Sequence, residues 1–315
     1  MHCNSKYSIV IPVYKSTQSL ISISEQLDKL KLEQELEIEV IFVNDSPHFL
    51  NTKKILTQLE NRFKFVKVLC LRKNKGQHLA TLAGISKASG DYIITMDDDL
   101  QHPVSEIMVL IDKIQSNPEV DAIFGIPNYL ERKHSLWRSA GSYVLKKIDL
   151  IFLDKPKGLV LSSFRIMTRD LAEILVETYN AMPSISSLMV NASSELRNVK
   201  VKHNSREYGD TNYTLSKLIN LAFNGILYYS SLPLRILGIV GFVVFIFSMI
   251  FIIFTIIQKI FNGIEFPGYA STVSLIAFFG GINLFALGLI GEYLIRLLKE
   301  QQKPNLDYLI KKNIE

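Results

Sequence analysis

The sequence predicts an α/β protein: a mostly parallel sheet flanked by helices, followed by a two-helix transmembrane hairpin. Three observations lead there. Through the first half of the chain, short apolar, β-rich runs alternate with segments of helical spacing, the pattern of βαβ units. The strand runs are almost continuously apolar, as in a sheet covered on both faces. Late in the chain, Ile236–Ile257 and Phe266–Gly291 run for 22 and 26 residues without a charge. Each is long enough to cross a bilayer core of about 30 Å.

Taken in order, Tyr7–Tyr14, Glu39–Asn44, Phe65–Leu71, Tyr92–Met96 and Val120–Ile126 read as strands. Gln18–Leu32, Leu50–Phe63, Gln77–Lys87 and Val104–Gln115 have the apolar spacing of helices between them. Arg132 to Phe152 is basic and helical, and Ser162–Thr168 and Glu195–His203 read as further strands. Leu215, Leu218, Ile219, Phe223, Ile226 and Leu227 form one apolar face between Tyr213 and Tyr229, with Lys217 off it. That face suits a helix on the membrane surface and, equally, one packed on the soluble domain.

Composition narrows the class. With 48% apolar residues and a mean hydropathy of +0.20, the chain is not disordered and is apolar for a purely soluble enzyme. Cys3 and Cys70 alone exclude a disulfide framework and fit a reducing compartment. A net charge of +5 is too small a surplus to indicate nucleic acid. The opening MHCNSKYSIV lacks the long apolar core of a signal peptide.

The connector Gln258–Glu265 holds one Lys and one Glu, whereas Arg296, Lys299, Lys303, Lys311 and Lys312 follow the second span. The excess of positive charge predicts a multi-pass cell-membrane protein with both termini in the cytoplasm. The expected organisation is a cytoplasmic domain over residues 1–212, an amphipathic juxtamembrane helix over 213–233, a hairpin over 234–298 and a basic cytoplasmic tail over 299–315. Its spans are expected at 236–257 and 270–291. Gly280, Gly281, Gly288 and Gly291 permit close helix contact in the second span.

In open α/β sheets, ligands bind beyond the carboxyl ends of the strands. Asp45 closes the second strand, and Asp97, Asp98 and Asp99 close the fourth. Adjacent carboxylates repel, and a hard divalent cation relieves that repulsion; Mg²⁺ or Mn²⁺ typically takes one or two carboxylates together with substrate phosphate oxygens. A helix N-terminus enriched in acids explains the same run, and Pro103 and Glu106 downstream suit that explanation.

The succession YSIVIPVYK, VIFVNDS, NKGQHLATLAGI and GDYIITMDDDLQHP resembles the family 2 glycosyltransferases. SLWRSAGSYVLKKI, SSFRIMTRD, REYGDTNYTLSKLINL and the two spans narrow the resemblance to the polyprenyl-phosphate glycosyltransferases. That group includes dolichyl-phosphate mannose synthase, bactoprenol glucosyltransferase and undecaprenyl-phosphate aminoarabinose transferase. The resemblance implies a GT-A-like fold and an inverting transfer from a nucleotide-diphospho-sugar to polyprenyl phosphate. UDP-hexose or UDP-N-acetylhexosamine is the favoured donor, Mg²⁺ or Mn²⁺ the cofactor, and a homo-oligomer, by likeness a tetramer, the assembly. Another glycan or lipid acceptor, or a catalytically silent membrane scaffold, are the alternative functions.

The same resemblance assigns roles. Pro12 and Tyr14 would flank the base, Asp45 would touch base or ribose, and Asn74 and Gly76 would shape the floor beneath the nucleotide. Asp99 would bind metal, Asp97 ribose or metal, and Gln101 the diphosphate. Asp98 stands where the family usually has a small residue, and would add a ligand or face solvent. Arg132, Arg138 and Ser142 would hold the acceptor phosphate, and Arg206 would reach a phosphate from its loop. His78 would touch the sugar or pack; His102 reads as part of the turn.

Four departures stand out: Lys15-Ser16 replaces Asn-Glu, Tyr129 a basic residue, Thr211-Asn212 a Ser-Lys, and Ser162-Ser163 the Gly-Asp before Phe164-Arg165. The last removes a candidate base. A phosphate monoester tolerates that loss, because its second pKa is near 6 and it is largely dianionic at pH 7. A sugar hydroxyl would still need a base.

Overall fold

The computed structural model describes residues 5–128, 156, 158–180, 183–204, 268–301, 303 and 305–311, with eight further helical positions between 239 and 261. It divides into two compact units, residues 1–213 with 303–315, and residues 214–302.

In the first unit, β1 (Lys6–Val13), β2 (Glu37–Asn44), β3 (Val66–Cys70), β4 (Tyr92–Thr95), β5 (Ala122–Pro127), β6 (Arg165–Thr168) and β7 (Leu196–Val201) form one sheet. Its order is β3-β2-β1-β4-β6-β5-β7. Pairing is parallel except at β6, which runs antiparallel to both β4 and β5. The sheet is thus α/β and mostly parallel, with one reversed strand that apolar runs alone do not reveal.

The helices are α1 (Gln18–Glu33), α2 (Leu50–Arg62), α3 (Gln77–Ile85), α4 (Ile107–Gln115, preceded by a 3₁₀ turn at Val104–Glu106), α5 (Arg169–Thr178) and α6 (Ile185–Ala192). After the long α7 (Tyr269–Gln301) comes the short α8 (Leu306–Leu309). Side chains alternate across a strand. Tyr7, Ile9, Ile11 and Val13 of β1 join a core with α1, α2 and α4. Val10 faces the other way, into a core with α3, α5, α6 and α8. α1 supplies Leu20, Ile23, Leu27 and Leu30 at helical spacing, and α4 supplies Ile107, Leu110, Ile111 and Ile114.

α3 lies unusually close to the sheet. A Cβ on Gly84 would stand 2.3 Å from Val10 Cγ1 and 2.9 Å from Val43 Cγ2. A glycine there lets the helix approach the strands.

β6 begins at Arg165 rather than Ser162. The backbone N–H of Phe164 donates to Ser162 Oγ (3.2 Å), and the Ser163 carbonyl accepts from Thr95 Oγ1 (2.7 Å). Hydroxyl side chains thus satisfy part of this backbone, while the Phe164 carbonyl accepts from the Gly125 N–H of β5 (2.9 Å).

At the opposite end, Glu39 is 4% exposed and ties three segments together. Ser8 Oγ donates to it at 2.6 Å, Lys67 Nζ at 2.7 Å and Ser89 Oγ at 2.7 Å. Burial opposes its charge, yet Lys67 and the serine donors outweigh burial and hold its pKa at about 2.

In the second unit α7 runs for 33 residues, ten residues beyond the expected span end at 291. Among the described residues it is the helix long and apolar enough to cross a membrane, over Phe278–Ile295. Ile239, Val243, Ile246, Phe247, Ile250, Ile253, Ile257 and Phe261 are helical and expose their side chains. The rest of the expected first span lies outside the described residues.

Residues 299–315 are expected as one basic tail, but α7 continues to Gln301, and Lys303 and residues 305–311 belong with the first unit. The physical reason is apolar burial: Leu306 and Leu309 sit in the core beside α3, 5% and 6% exposed.

Candidate active site

The carboxyl ends of β1, β2 and β4 converge on one cleft, with two left-handed residues at its rim. Lys15 follows β1 at φ 61°, and Leu100 follows the triple aspartate at φ 60°. Neither is glycine, so both turns carry backbone strain of the kind concentrated at functional sites.

Asp45 is 3% exposed. Its Oδ1 accepts from the Lys75 N–H (2.6 Å) and its Oδ2 from the Gly76 N–H (2.8 Å). Asn74 Nδ2 donates to the Asp45 carbonyl at 3.1 Å. Asp45, Asn74 and Gly76 therefore come together as one unit, in which the carboxylate holds a loop. Burial still raises the Asp45 pKa against the two amides. Gly76 has φ 86°, and a Cβ added to it would meet nothing within 4 Å, so backbone conformation, not space, requires glycine.

The loop leads into α3, whose first residue reaches across the cleft. Gln77 Nε2 donates to Asp97 Oδ1 at 2.6 Å, and Ser163 Oγ donates to Asp97 Oδ2 at 2.6 Å. A continuous path runs from Asp45 through residues 75–77 to Asp97 and on to the start of β6. Asp99 Oδ1 accepts from the Gln101 N–H at 3.1 Å, closing the turn around Leu100.

Asp98 is half-buried. The Tyr14 N–H lies 3.4 Å from its Oδ2. Burial, reinforced by repulsion from Asp97 and Asp99, pushes its pKa up to about 6 despite a hydrogen bond from Ser16. Among the described residues no group of three or more His, Cys, Asp or Glu side chains could hold a metal by itself. The carboxylates nevertheless suit a divalent ion completed by substrate oxygens, because such an ion relieves their mutual repulsion.

A cavity of about 280 Å³ opens beside Asp97, lined by Pro12, Gln77, His78, Ser163, Arg165 and Ser186 among others. Tyr14 stands 53% exposed at the end of β1. His78 keeps an exposed face at the cavity wall; desolvation within the cleft, then the nearby Arg165 charge, shifts its pKa down to about 4. His102, by contrast, is buried; it stacks on Phe164 with ring centroids 4.7 Å apart, and meets His203 edge-on at 4.9 Å. Packing, more than turn formation, fixes it.

Arg165 has no role assigned from the sequence. It is 3% exposed, its Nε donates to Thr95 Oγ1 at 3.0 Å, and its Nη1 to Ser186 Oγ at 2.8 Å. Burial lowers its pKa to about 10, partly offset by Asp97. One cation within the apolar run FRIMT is the signal that could have found it. Gln77 carries no such signal, since its partner is 20 residues away in sequence. Arg132, Arg138, Ser142 and Arg206 lie outside the described residues.

Residues 8–175 match the family model of glycosyl transferase family 2, more than half of the chain. The chain belongs to glycosyl transferase family 2. This glycosyltransferase also matches the GtrB C-terminal hairpin over residues 232–297, which associates it with the membrane.

Among its relatives is the undecaprenyl-phosphate 4-deoxy-4-formamido-L-arabinose transferase of Pseudomonas savastanoi pv. phaseolicola. The two are 31% identical over 301 residues, covering 93% of this chain and 86% of the relative. The protein of the same description from Proteus mirabilis is 28% identical over 299 residues, covering 94% of this chain and 90% of the relative. In structure the glycosyltransferase is similar to mannosyl-3-phosphoglycerate synthase from Rubrobacter xylanophilus. That match has a TM-score of 0.52 at 14% identity and covers 74% of this chain and 75% of the other. The likeness supports the GT-A type of fold.

Proposed function

We propose that this glycosyltransferase moves a sugar, with inversion, from a UDP-linked donor to undecaprenyl phosphate at the cytoplasmic face of the membrane. The observation that carries the reading is the Asp45–Gln77–Asp97–Ser163 path at the strand ends. Relatives named for transfer to undecaprenyl phosphate cover nearly the whole chain, hairpin included.

Asp45 holds the Asn74–Gly76 loop as the floor for the nucleotide, with Pro12 and Tyr14 beside the base. Asp99, with Asp97, would hold Mg²⁺ or Mn²⁺, and Gln101 contacts the diphosphate region. The ion, when bound, stabilises the charge that gathers on the departing nucleoside diphosphate. Arg132, Arg138 and Ser142 hold the acceptor phosphate, and Arg206 approaches a phosphate from its loop. Guanidinium suits this work because it offers paired donors.

An oxygen of the acceptor phosphate attacks the anomeric carbon as the bond to the nucleoside diphosphate breaks. The acceptor is already ionised at neutral pH, so no side chain has to remove a proton. This is the chemistry that accommodates serine at position 163. Ser163 instead orients Asp97, and alignment supplies much of the rate. The hairpin keeps the enzyme in the membrane that contains its acceptor, as a homo-oligomer. A UDP-hexose or UDP-N-acetylhexosamine is the favoured donor.

The test uses the full-length protein in detergent with undecaprenyl phosphate, Mg²⁺ or Mn²⁺ and a panel of UDP-sugars. The panel includes the 4-deoxy-4-formamido-L-arabinose donor named for the relatives. One donor should release UDP only when the lipid and the ion are both present, with a glycosyl-lipid product of matching mass. Release of UDP with another glycan acceptor, and none with the lipid, would overturn the assignment.

A further inference from the structure

The segment after α7 lies beyond both family matches, which end at residues 175 and 297. It is built into the nucleotide end of the sheet. Lys303 Nζ donates to the Tyr179 carbonyl at 3.1 Å and stands 4.8 Å from the centre of the Tyr179 ring. Asn305 caps α8 by accepting from the Asp307 N–H at 2.8 Å. Asp307 pairs with Lys87, just beyond α3, at 2.7 Å. Leu306 and Leu309 are buried against α3.

The chain then runs along the end of β3. The Arg72 N–H donates to the Leu309 carbonyl (2.9 Å), Arg72 Nε to the Tyr308 carbonyl (3.1 Å), and the Lys311 N–H to the Cys70 carbonyl (2.8 Å). Leu71 and Ile310 form an antiparallel bridge.

These contacts frame one loop. Residues 72–76 connect β3 to α3, and the strap grips that connection at both ends: at Leu71 and Arg72 by backbone bonds, and along α3 by apolar burial. Within the loop lie Asn74, Lys75 and Gly76, bound to Asp45, and after it Gln77, bound to Asp97. Asp45 and Asp97 fix the loop from inside the cleft, and the strap fixes it from outside. A loop held on one side alone would sample more conformations and would lose affinity for a ligand that needs one of them.

We infer that the strap formed by Lys303 and residues 305–311 is a positioning element for nucleotide binding, acting through the Arg72–Gln77 loop. Leu306 and Leu309 are its anchors. They touch neither the donor nor the acceptor. The inference rests on the nucleotide-sugar reading above.

The test compares full-length wild type with Leu306→Ala/Leu309→Ala and with the conservative Leu306→Met/Leu309→Met. UDP affinity is measured by calorimetry with Mn²⁺ present, and KM for donor and lipid by turnover. The alanine pair should weaken UDP binding about tenfold and raise the donor KM in step, a loss of about 1.4 kcal/mol. It should leave the lipid KM unchanged. The methionine pair should restore binding, and a peptide spanning residues 303–315 should partly rescue the alanine pair.

Hydrogen exchange on the wild type covers the case in which the alanine pair fails to fold. UDP should slow exchange at Arg72 and Lys311, the amides that join strap to sheet. Equal UDP affinity in wild type and alanine pair, an equal rise in both KM values, or slowing confined to Lys75–Gln77 each overturns the inference alone. If wild type binds no UDP, the nucleotide-sugar reading falls and this one with it.

Discussion

Glu39 and the Asp97–Asp99 run sit at opposite ends of the same sheet, and their surroundings push carboxylates in opposite directions. Glu39 is surrounded by Ser8, Lys67 and Ser89, and its pKa falls to about 2. Asp98 is half-buried beside Asp97 and Asp99, and partial desolvation with their repulsion raises its pKa to about 6. A buried charge that is fully hydrogen-bonded belongs to the scaffold. One set among like charges marks a place that a cation would suit.

The largest effect expected on this contrast is at Asp99. Asp99→Ala should lower turnover by about 100-fold or more, because electrostatic stabilisation of the leaving group goes with it. The lipid KM should not move, and the divalent ion should no longer raise the melting temperature. Turnover equal to wild type would remove the metal from this position.

Glu39→Gln should instead cost stability, about 1–3 kcal/mol, by leaving Lys67 and a serine hydroxyl poorly matched. Specific activity of the folded protein should be unchanged. The pH dependence has a definite sign. The folded-state pKa lies below the ordinary 4.5, so the carboxylate stabilises the fold above about pH 4.5 and loses that contribution as pH falls toward 2. Acid denaturation of full-length protein in detergent should show the loss in wild type and a flatter profile in Glu39→Gln.

The smallest effect sharpens the contrast from the other side. Asp98→Asn removes one of three repelling charges from a half-buried position. In metal-free buffer it should raise the melting temperature by roughly 2–4 °C. Added Mg²⁺ or Mn²⁺ should then stabilise the variant less than wild type. A lower melting temperature would mean that Asp98 is a satisfied structural acid like Glu39.

Much of this molecule can be read without coordinates. The strands of residues 6–127 lie within a residue or two of their apolar runs, because a sheet covered on both faces has to be apolar along its length. Asp45 and Asp97–Asp99 are legible as strand-end acids for the same reason. The length and apolar character of α7 announce a span, although its end is not announced: the helix passes through Glu292 and continues to Gln301, since nothing in that stretch breaks a helix.

Other features depend on meetings that sequence spacing does not encode. The reversal of β6 places Arg165 opposite Thr95 and next to the cavity. The bond between Ser163 and Asp97 spans 66 residues, and that between Arg72 and the Tyr308 carbonyl spans 236.

Periodicity and composition within short windows were enough to set the alternation of strand and helix, the long apolar helix and the strand-end acids. Folding in three dimensions settled which acids are satisfied, which arginine is buried at the cleft, and that the tail returns to grip the loop between β3 and α3. Those outcomes depend on burial and on donors brought from distant segments, and a carboxylate's charge is only as stable as the partners that folding delivers to it.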